Sequence, residues 1–187
     1  HIIRGSGLNG LTGMSVVQSE YAIPVVRPLL DVTKENLLAY IGTKQISYCV
    51  DSTNDDVRYQ RNRIRHRIIP ELEAVNPAVV DAIVRLGSSV NEDVMVISDL
   101  TARTFDKLVS IGKDEVSISR RALRQEPLAI QRRLWQRLVS TIDSDLTLTS
   151  AHQEQLLDIV NTGEKKTFTI KSIKVIAQCD TIKVYCK

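Results

Sequence analysis

Residues 58–67 read RYQRNRIRHR and carry five arginines and one histidine, a charge density that keeps most of this segment out of a hydrophobic core. Each guanidinium stays charged and presents a planar fork of donors that matches phosphate and carboxylate groups. The segment follows an acidic, turn-forming sequence, DSTNDD, at residues 51–56. It therefore predicts a site for a polyanion, either a nucleic acid or a nucleotide phosphate.

The chain as a whole is only mildly basic, so its positive charge is concentrated locally. Its 187 residues allow one or two domains, and the formal net charge is +3. A local cluster on a nearly neutral chain indicates a binding site better than diffuse charge does. Three cysteines, Cys49, Cys179 and Cys186, form no CxxC or metal-type spacing. Reduced thiols in a cytoplasmic protein are the simplest interpretation, and no metal site is expected.

The first part of the chain has the pattern of an α/β unit. Residues 5–13 contain four glycines, which suit either a ligand-binding backbone or a plain surface loop. The β-branched run at 22–30 predicts a strand buried on both faces, ending near Pro28. A helix is expected next, with Thr33 as its N-cap and Gly42 as its end. A second short strand is expected at 46–50.

The arginine segment predicts a helix that runs to about Val75, with a kink at Pro70. At 100° per residue, one face of this helix is apolar and is formed by Ile64, Ile68, Leu72 and Val75. Arg61 and Arg65 fall on or beside that face and need a partner, for which Asp51 is the candidate. Arg63 and Arg67 point the opposite way, toward a phosphate backbone. Alternatively, Arg61 and Arg65 only clamp the DSTN loop.

The second part of the chain reads as mostly helical. Apolar residues recur every three or four positions from Val79 to about Val109, which predicts one long amphipathic helix. A short extended segment at 116–119 and helices from Pro127 and over 150–160 follow. Trp135 is expected in the core, and the arginines around it form either a basic or a merely solvated face. Alternation after residue 168 predicts a small antiparallel meander.

Four sequence blocks in this order resemble the bacterial tRNA(Ile)-lysidine synthetases, a family of PP-loop ATPases. The blocks are RGSGLNGL at 4–11, RPLLDVT at 27–33, VDSTN at 50–54 and RNRIRHRIIPELEAVNP at 61–77. The segment PLAIQRRLWQRLV at 127–139 is similar to that family's substrate-binding domain. The resemblance implies the α/β tail of a PP-loop (adenine nucleotide alpha hydrolase-like) domain at 1–75. A mostly helical tRNA-binding domain with a terminal antiparallel β-meander would follow at 76–187.

The resemblance also implies an activity and its substrates. The family joins L-lysine to the wobble cytidine of tRNA(Ile) with a CAU anticodon, after ATP has adenylated the base. The implied partners are therefore tRNA(Ile), L-lysine and ATP, with Mg²⁺ accompanying ATP in the intact enzyme. None of these is expected to be bound to this chain alone.

One departure from the family pattern leads to further expectations. The family's ATP site uses a glycine-serine motif of the type SGGxDS, whose backbone N–H groups hold pyrophosphate, and this sequence contains no SGG. The chain is therefore expected to be a carboxyl-terminal portion that lacks the PP-loop and does not form the adenylate. Unpaired strand edges would then cause disorder in the first ~20 residues or self-association through them.

The resemblance assigns roles to individual residues. Arg4, Gly5, Ser6 and Gly7 would face the nucleotide, and Arg4 and Arg65 would be catalytic. The implied tRNA-binding set is Arg58, Arg61, Arg63, Arg65, His66 and Arg67. Asp51 and Asn54 would orient the loop, or they only form an Asx turn. His66 would be a general acid or an ordinary surface residue of the helix.

Three rival interpretations remain on the sequence alone. A non-catalytic RNA-binding module would share the basic helix, and an in-frame SGGxDS motif upstream of His1 would decide against it. The related tRNA thiolases often use CxxC pairs, which this chain lacks. A purely helical oligomerisation protein would tolerate alanine at Arg61, Arg63 and Arg65 without losing RNA binding.

Overall fold

The computed structural model describes residues 7–18, 23–113, 115–162 and 165–186. The chain forms two compact units, His1–Val94 and Met95–Lys187, and the division falls inside one long helix. The predicted domain boundary at residue 75 stays a prediction. Within the described ranges, no helix has both the length and the apolar character needed to cross a membrane.

The chain alternates helices and strands in its first unit and adds a larger sheet in its second. The helices are α1 (Leu8–Leu11), α2 (Lys34–Lys44), α3 (Gln60–Arg63), α4 (Ile69–Val75), α5 (Val79–Leu108), α6 (Arg120–Gln125), α7 (Leu128–Ile142) and α8 (Ser150–Thr162). The strands are β1 (Val17–Gln18), β2 (Val25–Val26), β3 (Val109–Ile111), β4 (Glu115–Ser119), β5 (Lys166–Ile170), β6 (Ile173–Gln178) and β7 (Thr181–Cys186). A 3₁₀ turn covers Ser52–Asp55, and a π-helical turn covers Ile64–Ile68.

The first strand of the predicted α/β unit differs from the expectation. Strand β2 pairs antiparallel with β1, and both of its residues are exposed, so the prediction of a strand buried on both faces is wrong. The strand does end before Pro28, as predicted. The backbone N–H of Arg27 donates to the carbonyl of Val16, and its guanidinium donates to the side chain of Gln18. This arginine therefore holds the short hairpin together.

The predicted helix that follows is present, but it ends later than expected. The Thr33 hydroxyl accepts from the N–H of Asn36 at 3.2 Å, which confirms the N-cap. The helix continues beyond Gly42 to Lys44. Its C-cap is Gln45, whose φ of 51° lies in the left-handed region. The second strand expected at 46–50 is absent, since that segment has no regular structure. A strand requires a pairing partner, and the described residues provide none there.

The second unit contains a five-stranded antiparallel sheet in the order β3-β4-β7-β6-β5. The predicted meander is confirmed as β5, β6 and β7, and the extended segment at 116–119 becomes β4. The long helix is confirmed as α5, and α6 was not predicted. In β4 and β7 the inward residues alternate with outward ones, as the half-buried strands require.

The core of this unit lies between the sheet and helices α6 to α8. The largest fully buried side chains include Trp135, Ile118, Leu123, Leu134, Leu138, Leu156, Ile173 and Ile182. The expectation that Trp135 belongs to the core is confirmed, since it has 0% exposure. Apolar burial on this scale is the main favourable term for folding of the unit.

One buried charge joins the helices of this unit to the sheet. Arg120 is 4% exposed and donates to the carbonyls of Ile159 and Val160 at the end of α8. It also donates to the carbonyl of Cys179 in the β6–β7 turn, at 3.3 Å. A cation is favourable beside the carbonyl end of a helix, where the backbone dipole is negative. Arg120 therefore fixes α8 and the β6–β7 turn relative to α6.

Replacing this arginine will test its contribution. We expect Arg120→Ala to lower the free energy of unfolding by about 2–4 kcal/mol, because it leaves buried carbonyls without donors. Arg121→Ala is the matched control, since the Arg121 side chain is exposed and its backbone N–H still reaches Asp180. Urea unfolding of both variants will measure the difference, and equal stabilities would contradict this role.

Candidate functional site

The acidic segment before the arginines forms a capped 3₁₀ turn. Asp51 Oδ1 accepts from the backbone N–H and from the hydroxyl of Thr53, both at 2.8 Å. These two donors, the backbone one first, lower the pKa of the Asp51 carboxyl below its ordinary value of 3.8, and the positive charge of Arg61 lowers it further. Asp51 therefore forms an Asx-type turn, and its carboxylate stays ionised at neutral pH.

The arginine segment forms a helix with one wide turn. Helix α3 continues into the π-helical turn and then into α4, which contains Pro70. The N–H of Ile69 donates to the carbonyl of Ile64, five residues earlier. Pro70 has no N–H and its ring crowds the carbonyl four residues before it, so a wider turn just ahead of it accommodates both effects. The irregularity predicted from the proline thus takes the form of a π turn.

Asn62 connects the acidic turn to this helix. Its side chain is 2% exposed, and its amide nitrogen donates to the carbonyls of Thr53 and Asp56, each at 2.9 Å. Among the described residues of the first unit, only Asn62 and Val90 are buried. An amide that satisfies two carbonyls of the turn fixes the turn's position on the helix.

A second contact between the turn and the helix comes from His66. Its Nε2 lies 3.1 Å from the carbonyl oxygen of Asn54 and 3.8 Å from Asp55 Oδ1. Asn54 makes this contact through its backbone oxygen, and the loop-orienting role predicted for it stays a prediction. Asn62 and His66 together contact four successive residues, 53 to 56, of the turn and its C-cap.

The five arginines have different surroundings. The Arg58 side chain donates from Nε and Nη2 to both carboxylate oxygens of Asp56, over distances of 2.7–3.0 Å. The guanidinium of Arg61 lies over the ring of Tyr59, 5.3 Å from its centre. Arg63, Arg65 and Arg67 are exposed, and none of them has an ion pair within the part of the chain that the structure describes. These three are the cations available to a ligand.

The predicted burial of one face of this helix is wrong. Ile68, Leu72 and Val75 are exposed, and Val75 reaches 87%. Arg61 and Arg65 are exposed as well, so neither sits at a packing surface that demands a partner. Between residues 60 and 75 only Asn62 is buried, so no face of this helix packs into a core. The clamp on the turn is made by Asn62 and His66.

The residues predicted to face the nucleotide are described only in part. Arg4, Gly5 and Ser6 lie outside the described residues. Gly7 directly precedes the four-residue helix α1, and no hydrogen bond joins it to the arginine helix within the described ranges. In those same ranges there is no cluster of three or more potential metal ligands.

Two residues of this site were missed by sequence reasoning. Asn62 was assigned no role, although it is the one uncharged polar residue within RNRIR. Asp56 was treated as part of a turn, although an Asp two positions before an Arg is a recurring local pair in which the carboxylate also accepts a backbone N–H. Here it accepts from the N–H of Arg58 at 3.0 Å.

Comparison with known proteins gives a consistent result. Residues 1–72 match the sequence family described as the PP-loop domain. The tRNA(Ile)-lysidine synthase of Porphyromonas gingivalis is 34% identical over 127 residues, which are 68% of this chain and 26% of that protein. Those of Geobacter sulfurreducens and Solibacter usitatus are 29% identical over 84% and 30% identical over 88% of this chain. The chain spans about a quarter to two fifths of the length of these relatives.

The family match corrects one expectation. The chain was expected to lack the PP-loop, and the match of residues 1–72 to the PP-loop domain contradicts this. The expectation relied on the absence of one glycine-serine motif, whereas the match rests on 72 residues of the chain. The expected lack of activity of the chain alone stays untested, as do disorder and self-association of its first residues.

The buried amide of Asn62 provides a direct test of the clamp. We expect Asn62→Ala to weaken the turn by about 1–3 kcal/mol, because two carbonyls lose their donor. The amide protons of Asn54 and Asp56, which bond within the turn, should then exchange faster. Arg63→Ala is the matched control, since it truncates the exposed neighbour. Unchanged exchange in Asn62→Ala would show that the turn holds without the clamp.

The ionisation of Asp51 gives a pH-dependent prediction. Because its folded pKa is lowered, its contribution to the turn is present above the unfolded pKa and is lost as the pH falls through the folded one. Thr53→Val removes the hydroxyl donor and keeps the backbone N–H. In this variant the pKa of Asp51 should rise and remain below 3.8. An NMR titration of the carboxyl carbon will measure it, and an unchanged midpoint would contradict the assignment.

Proposed function

We propose that this chain, which belongs with the tRNA(Ile)-lysidine synthases and carries PP-loop domain sequence over residues 1–72, is part of an ATP-dependent ligase. The ligase would attach L-lysine to the wobble cytidine of tRNA(Ile) through an adenylated base. Support comes from relatives at 29–34% identity that cover 68–88% of the chain. The chain corresponds to only part of those relatives, so this activity is proposed for the intact protein.

The observation that carries the RNA-binding part of this proposal is the group of exposed arginines on the clamped helix. Arg63, Arg65 and Arg67 have no carboxylate partner among the described residues, and they lie on the π-helical turn and the residue before it. Guanidinium groups bind phosphate oxygens in a bidentate manner, and contacts to the backbone set the register of an RNA on a protein. These three residues, with Arg61 and His66, form the proposed tRNA surface.

Catalysis would depend on position and charge. Adenylation builds negative charge on the transferred phosphate and on the cytosine carbonyl, so fixed cations near both would lower the barrier. We assign this role to Arg4 and Arg65, and we assign nucleotide binding to the segment from Arg4 to Gly7. ATP would bring Mg²⁺ with it in the intact enzyme. Single-stranded loop bases are the usual targets of RNA recognition, which suits a wobble cytidine.

The alternative is a non-catalytic RNA-binding module. The same exposed arginines favour it, because they account for RNA binding without any nucleotide site. The two functions differ in the chemical step after RNA has bound. A ligase incorporates radiolabelled lysine into the tRNA in an ATP-dependent manner when the intact protein is assayed. A binding module does not.

Salt dependence will test the arginine surface. Each phosphate contact that is lost should lower the slope of log Kd against log salt by about 0.7–0.9. We therefore expect Arg63→Ala, Arg65→Ala and Arg67→Ala each to weaken binding of a CAU anticodon stem-loop and to flatten this slope. Fluorescence anisotropy at several salt concentrations will measure both quantities.

A control elsewhere on the chain will separate local contacts from net charge. Arg103→Ala removes one positive charge in the second unit, where Arg103 pairs with Asp99 at 2.7 Å. It should leave the slope unchanged. Equal slopes for the wild type and all three helix variants would contradict the proposed surface.

A further inference from the structure

The first arginine of the cluster differs from the others in being held by a carboxylate. The Arg58 side chain is 89% exposed, and yet its Nη2 lies 2.7 Å from Asp56 Oδ2. Its Nε donates to both carboxylate oxygens at 3.0 Å, and its backbone N–H donates to Asp56 Oδ1 at 3.0 Å. A guanidinium in this arrangement has its charge matched, and the edge formed by Nε and Nη2 is occupied by the carboxylate.

The carboxylate itself is fixed in place. The Asp56 side chain is only 21% exposed, and its pKa is lowered chiefly by the Arg58 guanidinium, so it stays ionised. The backbone of Asp56 is held from two sides. Its carbonyl accepts from the buried amide of Asn62, and its N–H donates to the carbonyl of Thr53. Asp56 therefore belongs to the clamped turn and does not move freely with Arg58.

We propose that Asp56 is a specificity-determining residue that withholds Arg58 from RNA phosphates. This inference rests on the proposed function, because it assumes that the helix binds tRNA. The sequence-based set included Arg58 among the tRNA-binding residues. The structure divides the five arginines into Arg58, which is paired with Asp56, Arg61, which lies over Tyr59, and three that have no carboxylate partner within the described residues.

The physical reason concerns unselective binding. A contact between an arginine and a phosphate strengthens binding to every RNA by a similar factor, since phosphates carry no sequence information. The Arg58 guanidinium keeps N–H donors that Asp56 does not use, but its charge is already matched, and the Asp56 carboxylate would repel a phosphate that approaches them. Withholding this residue lowers the affinity for unrelated RNA and leaves discrimination to contacts that depend on the anticodon's shape.

Asp56→Asn will test the proposal, with Asp55→Asn as a matched control. Both variants remove one negative charge from the same turn. The Asp55 side chain is 88% exposed, and its ion-pair partner in the described residues is His66, at 3.8 Å. Kd will be measured against salt for the CAU anticodon stem-loop and for an unrelated stem-loop of equal length. Asp56→Asn should increase the slope of log Kd against log salt by about 0.7–0.9, the change expected for one added phosphate contact. Asp55→Asn should leave it unchanged.

Specificity gives the second readout of the same experiment. In Asp56→Asn the affinity for the unrelated stem-loop should rise several-fold. The ratio of the affinity for the CAU anticodon stem-loop to the affinity for the unrelated stem-loop should fall. A variant that is merely destabilised would bind both RNAs more weakly, so the expected direction separates the two explanations. Equal slopes and ratios for Asp56→Asn and Asp55→Asn would overturn the inference.

Arg58→Ala completes the design and does not depend on how Asp56→Asn folds. In the wild-type background, Arg58→Ala should leave the slope of log Kd against log salt unchanged. In the Asp56→Asn background, it should abolish the increase in slope that Asp56→Asn causes. A flatter slope for Arg58→Ala alone would overturn the inference while the proposed function stands. Absence of any salt-dependent RNA binding by the wild-type chain would overturn the proposed function, and this inference with it.

Discussion

The candidate site depends on one buried amide. Asn62 is the only buried polar side chain among the described residues of the first unit, and its two hydrogen bonds join the acidic turn to the arginine helix. Few apolar side chains are buried there, so packing does little to hold the turn. Directional hydrogen bonds hold the turn in place instead, and they also set the positions of the carboxylates in the turn. The positions of Asp51 and Asp56 relative to the arginines follow from this contact.

The electrostatics of the site follow from that geometry. Five arginines in ten residues would repel one another and bind any polyanion. The clamped turn puts Asp56 on Arg58 and Asp51 near Arg61, and it leaves Arg63, Arg65 and Arg67 exposed. The positive charge is therefore concentrated on the π-helical turn and the residue before it. The local charge distribution, more than the net charge of +3, makes this helix suitable for an RNA backbone.

Long periodic elements could be predicted from sequence, and local contacts could not. The spacing of apolar residues was enough for α5 and for the meander of β5 to β7, because a regular repeat over many residues identifies the type of element by itself. The strand around Val25 was assigned to a parallel sheet from its composition, yet composition does not specify which partner is present. The face of the arginine helix was projected at 100° per residue, but periodicity does not show whether any surface covers that face, and Ile68, Leu72 and Val75 are exposed. Asn62 and Asp56 were missed because a hydrogen-bonding role depends on which carbonyl lies opposite, and periodicity carries no such information.

The most direct test of the account is to observe the arginine side chains while RNA binds. The Nε–Hε NMR signals of the five arginines can be followed during a titration with the CAU anticodon stem-loop. If the clamped turn keeps Arg58 paired with Asp56 and leaves the other three available to RNA, the signals of Arg63, Arg65 and Arg67 will shift. The signal of Arg58 will stay in place. Equal shifts for all five arginines, or a shift for Arg58 alone, would contradict the central claim.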